Sequence, residues 1–175
     1  MISSVADYHQ IAEELGLTLG RVDITLGDAR ALPMPAQSMD GIVTSPPYSI
    51  ALDYVANDAH ALKALGHDLP DLRESFIGVR GRGMERIALY NADMRQSYGE
   101  MGRVLKPGGQ AVIVIGNATF QGQETDTAGF TIECMESFGL KLMRSMDKII
   151  FGLYNVMRKE KILIFQKAGK SPHGE

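Results

Sequence analysis

Asp40-Gly41-Ile42-Val43-Thr44-Ser45-Pro46-Pro47-Tyr48 is the stretch on which the fold turns. Ile42 and Val43 form the apolar centre of a short strand over 40–44, which runs straight into two prolines. Each proline fixes φ and removes a backbone donor, so the strand ends in a stiffened turn. The carbonyls of Ser45 and Pro46 then point outward with no local donor. The Ser45 hydroxyl adds a third acceptor, and Tyr48 adds an aromatic face on which a nucleic-acid base can stack. An exocyclic amino group is a double donor that fits such acceptors. A group transferred to that nitrogen would make it tetrahedral and positive, which acceptors around its hydrogens favour. No strong base is required. Four residues alone could be no more than a proline-rich turn. Their place at the carboxyl end of a strand is where open α/β sheets bind ligands.

Outward from this stretch, helix-like and strand-like segments alternate. Val5, Tyr8, Ile11, Ala12 and Leu15 recur at helical spacing, which predicts a helix over 4–15. A strand follows over 22–26, then the turn Gly27-Asp28-Ala29-Arg30 and a loop kept extended by Pro33 and Pro35. Beyond the proline turn, helices are expected over 51–65 and 84–104, with residues 67–83 irregular. Lys106-Pro107-Gly108-Gly109 reads as a tight turn. The apolar run 110–116 reads as a central strand buried on both faces. A polar loop over 117–128 and a helix over 129–138 come next. Strands over 148–153 and 161–166 are close enough in sequence to form an antiparallel hairpin at one edge. Alternating strands and helices imply a mainly parallel sheet with helices on both faces. One domain over 1–167 and a disordered tail over 168–175 are expected.

The totals narrow the function classes. The chain has 175 residues, enough for a single core. No apolar run approaches a membrane span, and residues 1–10 lack the basic start and apolar stretch of a signal peptide. The one cysteine, Cys134, can form neither an internal disulfide nor a zinc cluster, so a reducing cytoplasm is the simplest setting. His60 and His67 have no ligand partners at sensible spacing, so both read as structural and no metal is expected. The net charge of -3 argues against binding nucleic acid by bulk charge. Arg73, Arg80, Arg82 and Arg86 could still form a local recognition surface, or simply a solvated helix start.

The stretch Gly27-Asp28-Ala29-Arg30-Ala31-Leu32-Pro33, with Ser38 to Tyr48, resembles the DNA methylase family that modifies cytosine N4 or adenine N6. Gly102-Arg103-Val104-Leu105-Lys106-Pro107-Gly108-Gly109 resembles the helix-to-strand turn of class I methyltransferases. The resemblance implies an α/β Rossmann-like class I fold dependent on S-adenosylmethionine (SAM), with an antiparallel strand pair at its C-terminal end. It implies a catalytic loop of Ser45, Pro46, Pro47 and Tyr48. It also implies cofactor contacts from Asp28 (to the adenine amino group), Ala29, Thr44 and Ser45. Serine at the first loop position leans toward cytosine N4. DNA is the implied partner, with the target base flipped from the duplex. An RNA base methyltransferase and a degenerate, non-catalytic binding module are the alternatives. Asp53, Tyr54 and Asn117 are secondary candidates for the base pocket.

The family's Phe-x-Gly-x-Gly loop and its first two strands are not in the sequence, so the fold is expected to be incomplete. In the family's sheet order those strands lie between 22–26 and 40–44. Without them the catalytic strand becomes an apolar edge. Three remedies are open: the chain is part of a longer or split enzyme, another subunit supplies the strands, or strand 22–26 moves beside 40–44 with dimerisation at the open edge.

Overall fold

In a computed structural model, residues 2–18, 20–48, 52–120, 123–151 and 157–169 are described. The elements run α1 (Ile2–Glu14), β1 (Met39–Thr44), α2 (Tyr54–Asn57), α3 (Ala59–Ala64), α4 (Leu69–Ser75), α5 (Gly83–Val104), β2 (Leu105–Gly116), β3 (Ala118–Phe120), β4 (Gln123–Thr125), α6 (Thr127–Ser137), β5 (Leu140–Phe151) and β6 (Met157–Lys167). The main sheet has the order β1-β2-β6-β5. Only β1 and β2 are parallel; β2–β6 and β6–β5 are antiparallel. The sheet is therefore mixed rather than mainly parallel. The predicted terminal hairpin is present, with β5 at the far edge.

The long helix α5 forms as expected, because Tyr90, Met94, Tyr98 and Met101 fall on one face and are buried. They pack on Ala111, Ile113 and Ile115 of β2, on Leu163 and Phe165 of β6, and on Cys134 and Met135 of α6. The Tyr98 hydroxyl meets Thr131 Oγ1 at 2.9 Å, which joins the two helices inside this core. Gly102 lacks a side chain where Phe138 passes: a Cβ there would lie 3.2 Å from the Phe138 Cβ. The two helices cover one face of the sheet. On the other, Val112, Val114, Ile162 and Ile164 stay half-buried.

Several local expectations are corrected. Residues 22–26 form no strand; Val22, Ile24 and Leu26 are almost fully solvent-exposed. A strand exists only by pairing, and among the described residues β1 has a partner on one side alone. Movement of 22–26 to the open edge of β1 is thus overturned. The helix expected over 51–65 breaks at Asp58, which ends α2 and begins α3, and Ala51 lies outside the described residues. Within 67–83, Asp68 accepts from Asp71 N at 3.0 Å and starts α4. Residues 105–109 belong to β2, with four residues between Leu105 and Gln110 where only Asp40 lies between Met39 and Gly41 opposite. The polar stretch after Asn117 pairs β3 with β4, and α6 begins at Thr127 on the Asp126 cap. Strand β5 starts at Leu140, well before 148; Leu153 lies outside the described residues. Of the tail, Ala168 donates to Gly139 O at 3.1 Å, and residues 170–175 lie outside the described part.

Candidate active site

The proline turn lies at the carboxyl end of β1, against the ends of β2 and β6. Three tyrosines hold it. The Tyr90 hydroxyl on α5 donates to Pro47 O at 2.9 Å. The Tyr48 N–H donates to the Tyr54 hydroxyl at 3.2 Å. The Tyr48 hydroxyl donates to Glu160 Oε1 at 2.5 Å. Pro46 is buried, Pro47 and Tyr48 are half-buried, and Ser45 is exposed. Among the described residues nothing donates to the carbonyls of Ser45 and Pro46, whereas the Pro47 carbonyl is taken. Thr44 is half-buried at the last pairing position of β1, opposite Ile113.

The Tyr48 ring lies against Gly116, the last residue of β2. A Cβ at Gly116 would lie 3.2 Å from the ring, a tighter contact than most, so a larger residue there would have to displace the ring by a few tenths of an ångström. Burial pushes the Tyr48 phenol up to about 12, helped by the Glu160 carboxylate and opposed by the Ser45 hydroxyl. Burial likewise pushes Tyr98 up to about 12. Both phenols thus ionise later in the folded chain than in the unfolded chain, whose tyrosines ionise near 10. Their contribution to stability is complete below about pH 10 and is lost as pH rises toward about 12. Urea midpoints should fall over that window, and Tyr98→Phe should shrink the fall; a midpoint equally steep in the variant would show that other groups dominate.

Asp28 stands in a tight turn closed by Ala31 N to Asp28 O at 3.0 Å. Arg30 grips its carboxylate, with Nη2 2.7 Å from Oδ2 and the Arg30 N–H 2.8 Å from Oδ1. These bonds hold the Asp28 carboxyl below the usual carboxylate range, so it remains an ionised acceptor. Arg30 also reaches Asp93 Oδ1 at 3.1 Å and Ser75 O at 3.0 Å, which ties the turn to α5 and α4. Ala29 beside it is exposed. From α5, Arg103 donates to Met34 O and Leu32 O, and Glu100 accepts from Leu32 N, so the extended loop leading to β1 is stapled to the helix.

The secondary candidates separate. Tyr54 belongs to the loop clamp. Asp53 caps α2 through Ala56 N and pairs with Arg73 at 2.6 Å. Asn117 Oδ1 accepts from Ala128 N at 3.2 Å, at the start of α6. His60 and His67 are exposed, and the described residues contain no cluster that could hold a metal. Arg73, Arg80, Arg82 and Arg86 do converge, on a cleft of about 530 Å³. Glu74 and Glu85 also line it, while Asp53 and Asp93 pair with Arg73 and Arg80, so four carboxylates balance four guanidiniums. Tyr90, Gly116 and Glu160 are the site residues that sequence reasoning does not find. Tyr90 reads as core, Gly116 as a strand end, and Glu160 sits in a charged run (Arg158-Lys159-Glu160-Lys161) with no motif around it.

No protein-family model and no curated protein matches the chain. Solved structures do. TTHA0409 of Thermus thermophilus, described as a DNA modification methylase and complexed with S-adenosyl-L-methionine, matches with TM-score 0.54 at 21% identity, over 86% of this chain and 57% of that one. The PvuII DNA methyltransferase, specific for cytosine N4, matches with TM-score 0.55 at 15% identity, over 83% and 50%. A SAM-dependent methyltransferase of Methanosarcina mazei matches with TM-score 0.52 at 13% identity, over 87% and 70%. The chain spans about half the length of the first two. Its fold is that of the class I SAM-dependent methyltransferases, represented here in part.

Proposed function

We propose that the chain is the target-base portion of a SAM-dependent methyltransferase acting on an exocyclic amino group in DNA, most simply cytosine N4, with adenine N6 as the second substrate. The observation that carries this reading is the clamped loop. Tyr54, Tyr90 and Glu160 fix Pro47 and Tyr48, while among the described residues nothing takes the Ser45 and Pro46 carbonyls, which would receive the amino hydrogens of a base. Acceptors placed before the reaction need no reorganisation as positive charge develops on the nitrogen.

SAM would supply the methyl sulfonium. Asp28, with Ala29 beside it, would accept from the adenine amino group, and Thr44 and Ser45 would line the methyl end. The Asp28 carboxylate suits that role because Arg30 keeps it ionised. Among the described residues, no glycine-rich loop leaves a strand and opens a helix to hold the methionine part.

A further polypeptide segment, or a second copy of the chain, would complete the sheet at the open edge of β1. Val43 on that edge is 82% exposed, and the N-terminal region exposes Ile11, Leu15, Val22, Ile24 and Leu26. Val43→Lys should lower self-association in sedimentation experiments without loss of secondary structure. An unchanged sedimentation profile, in a wild type that does associate, would place the contact elsewhere.

Incubating the active assembly with methyl-labelled SAM tests the function. The label should enter DNA in preference to RNA. Preference for RNA would favour a transfer-RNA or ribosomal-RNA base enzyme, and no label in either would leave a binding module.

A further inference from the structure

Glu160 is not part of the proline turn, yet its carboxylate bonds the Tyr48 phenol. It lies on β6 opposite Gly116 of β2 and beside Lys148 of β5, so three strands meet at this carboxylate. Its Oε1 accepts from the Tyr48 phenol at 2.5 Å, and its Oε2 accepts from Lys148 Nζ at 3.2 Å. The residue is only 8% exposed. Burying a carboxylate is costly unless its oxygens are bonded, and an apolar residue would fill a strand position at lower cost. The two bonds it makes are therefore the reason for its presence. Gly116 completes the arrangement by leaving a slot into which the ring fits.

We propose that Glu160 is a positioning residue for methyl transfer: it fixes the plane of the Tyr48 ring on which the target base stacks. This rests on the base-methyltransferase reading above. Lys148 keeps the carboxylate aimed by taking its second oxygen. The phenol is the donor, so the clamp works with Glu160 ionised and Tyr48 protonated. With the phenol free, the ring would turn about its side-chain torsions, and the base would lie at varying distances from the methyl group.

The test compares Glu160→Leu, Glu160→Gln, Tyr48→Phe and the Tyr48→Phe/Glu160→Leu pair in the active assembly. Glu160→Leu should lower kcat about tenfold to hundredfold, the scale expected for a misplacement of about 1 Å, with a smaller change in KM for DNA. Glu160→Gln keeps an accepting oxygen and should recover most of the rate. In the Tyr48→Phe background, Glu160→Leu should cost nothing further. Losses that multiply, or a Glu160→Leu enzyme at the wild-type rate beside an inactive Tyr48→Ala, overturn the positioning role and leave the methyltransferase reading standing. A wild type that transfers no methyl overturns that reading instead. Proton NMR decides the clamp independently of activity. A slowly exchanging, downfield phenolic proton should be present in the wild type and absent in Tyr48→Phe and Glu160→Leu. Its absence from the wild type, or its survival in Glu160→Leu, overturns the inference.

Discussion

Tyr48→Ala should abolish methyl transfer by the active assembly while leaving the chain folded. Stacking of a base on an aromatic ring contributes about 1–3 kcal/mol, and that contact disappears with the ring. The bond to Glu160 disappears with it, which leaves a buried carboxylate held by Lys148 alone. The loop backbone survives, because Tyr54 bonds the residue-48 amide and Tyr90 bonds Pro47 O. Ser45→Ala should also be inactive or nearly so: it removes an acceptor from the amino group, together with the hydroxyl that meets the Tyr48 phenol. Single-turnover transfer of a labelled methyl group, with circular dichroism to confirm folding, measures both. A folded Tyr48→Ala protein with the wild-type rate would defeat the site assignment.

Asp93→Ala should be the most destabilising single change at the site's periphery. Asp93 is buried on α5 and receives Arg80 at 2.6 Å and Arg30 at 3.1 Å. Removing one partner of a buried ion pair typically costs about 3–5 kcal/mol, because the remaining charge is left without compensation. Here Arg80 would lose the carboxylate it pairs with, while Arg30 would keep Asp28 and Ser75 O. The damage should also reach Asp28. Arg30 is the residue that orients the Asp28 carboxylate, and Asp93 anchors Arg30 to the long helix. Urea unfolding should show the loss of stability. A variant within about 1 kcal/mol of wild type would show that the two arginines find other partners, against the expected cost of breaking such a pair.

The sequence discloses what depends on local pattern. Residues 110–116 read as a strand buried on both faces because an apolar run of that length between turns has few other uses; they lie within β2, but only the face of Ala111, Ile113 and Ile115 is buried, Val112 and Val114 being half-buried. Tyr90, Met94 and Tyr98 read as the buried face of a helix because their spacing is helical. Asp28 and the proline turn read as site residues because their neighbours resemble a known motif; their roles are still proposals. Strand 22–26 shows where such reading ends. Its residues suit a strand, but pairing is a property of two segments, and among the described residues β1 pairs with β2 alone. The early start of β5 was legible in the alternation Leu140-Lys141-Leu142, although Met143 and Arg144 obscure it at the register shift between Leu142 and Arg144. Glu160 was not legible. It meets Tyr48 across 112 residues, through a register that only the folded sheet defines.

The position of the transferred methyl group is the most direct test of the account. DNA modified by the active assembly would be digested to nucleosides and examined by mass spectrometry against authentic methylated standards. On the proposed reading the carbonyls of Ser45 and Pro46 receive an amino group, so the methyl should lie on the exocyclic nitrogen, as N4-methyldeoxycytidine or N6-methyldeoxyadenosine. A methyl group on the C5 ring carbon of cytosine, or no methylated base at all, would contradict it.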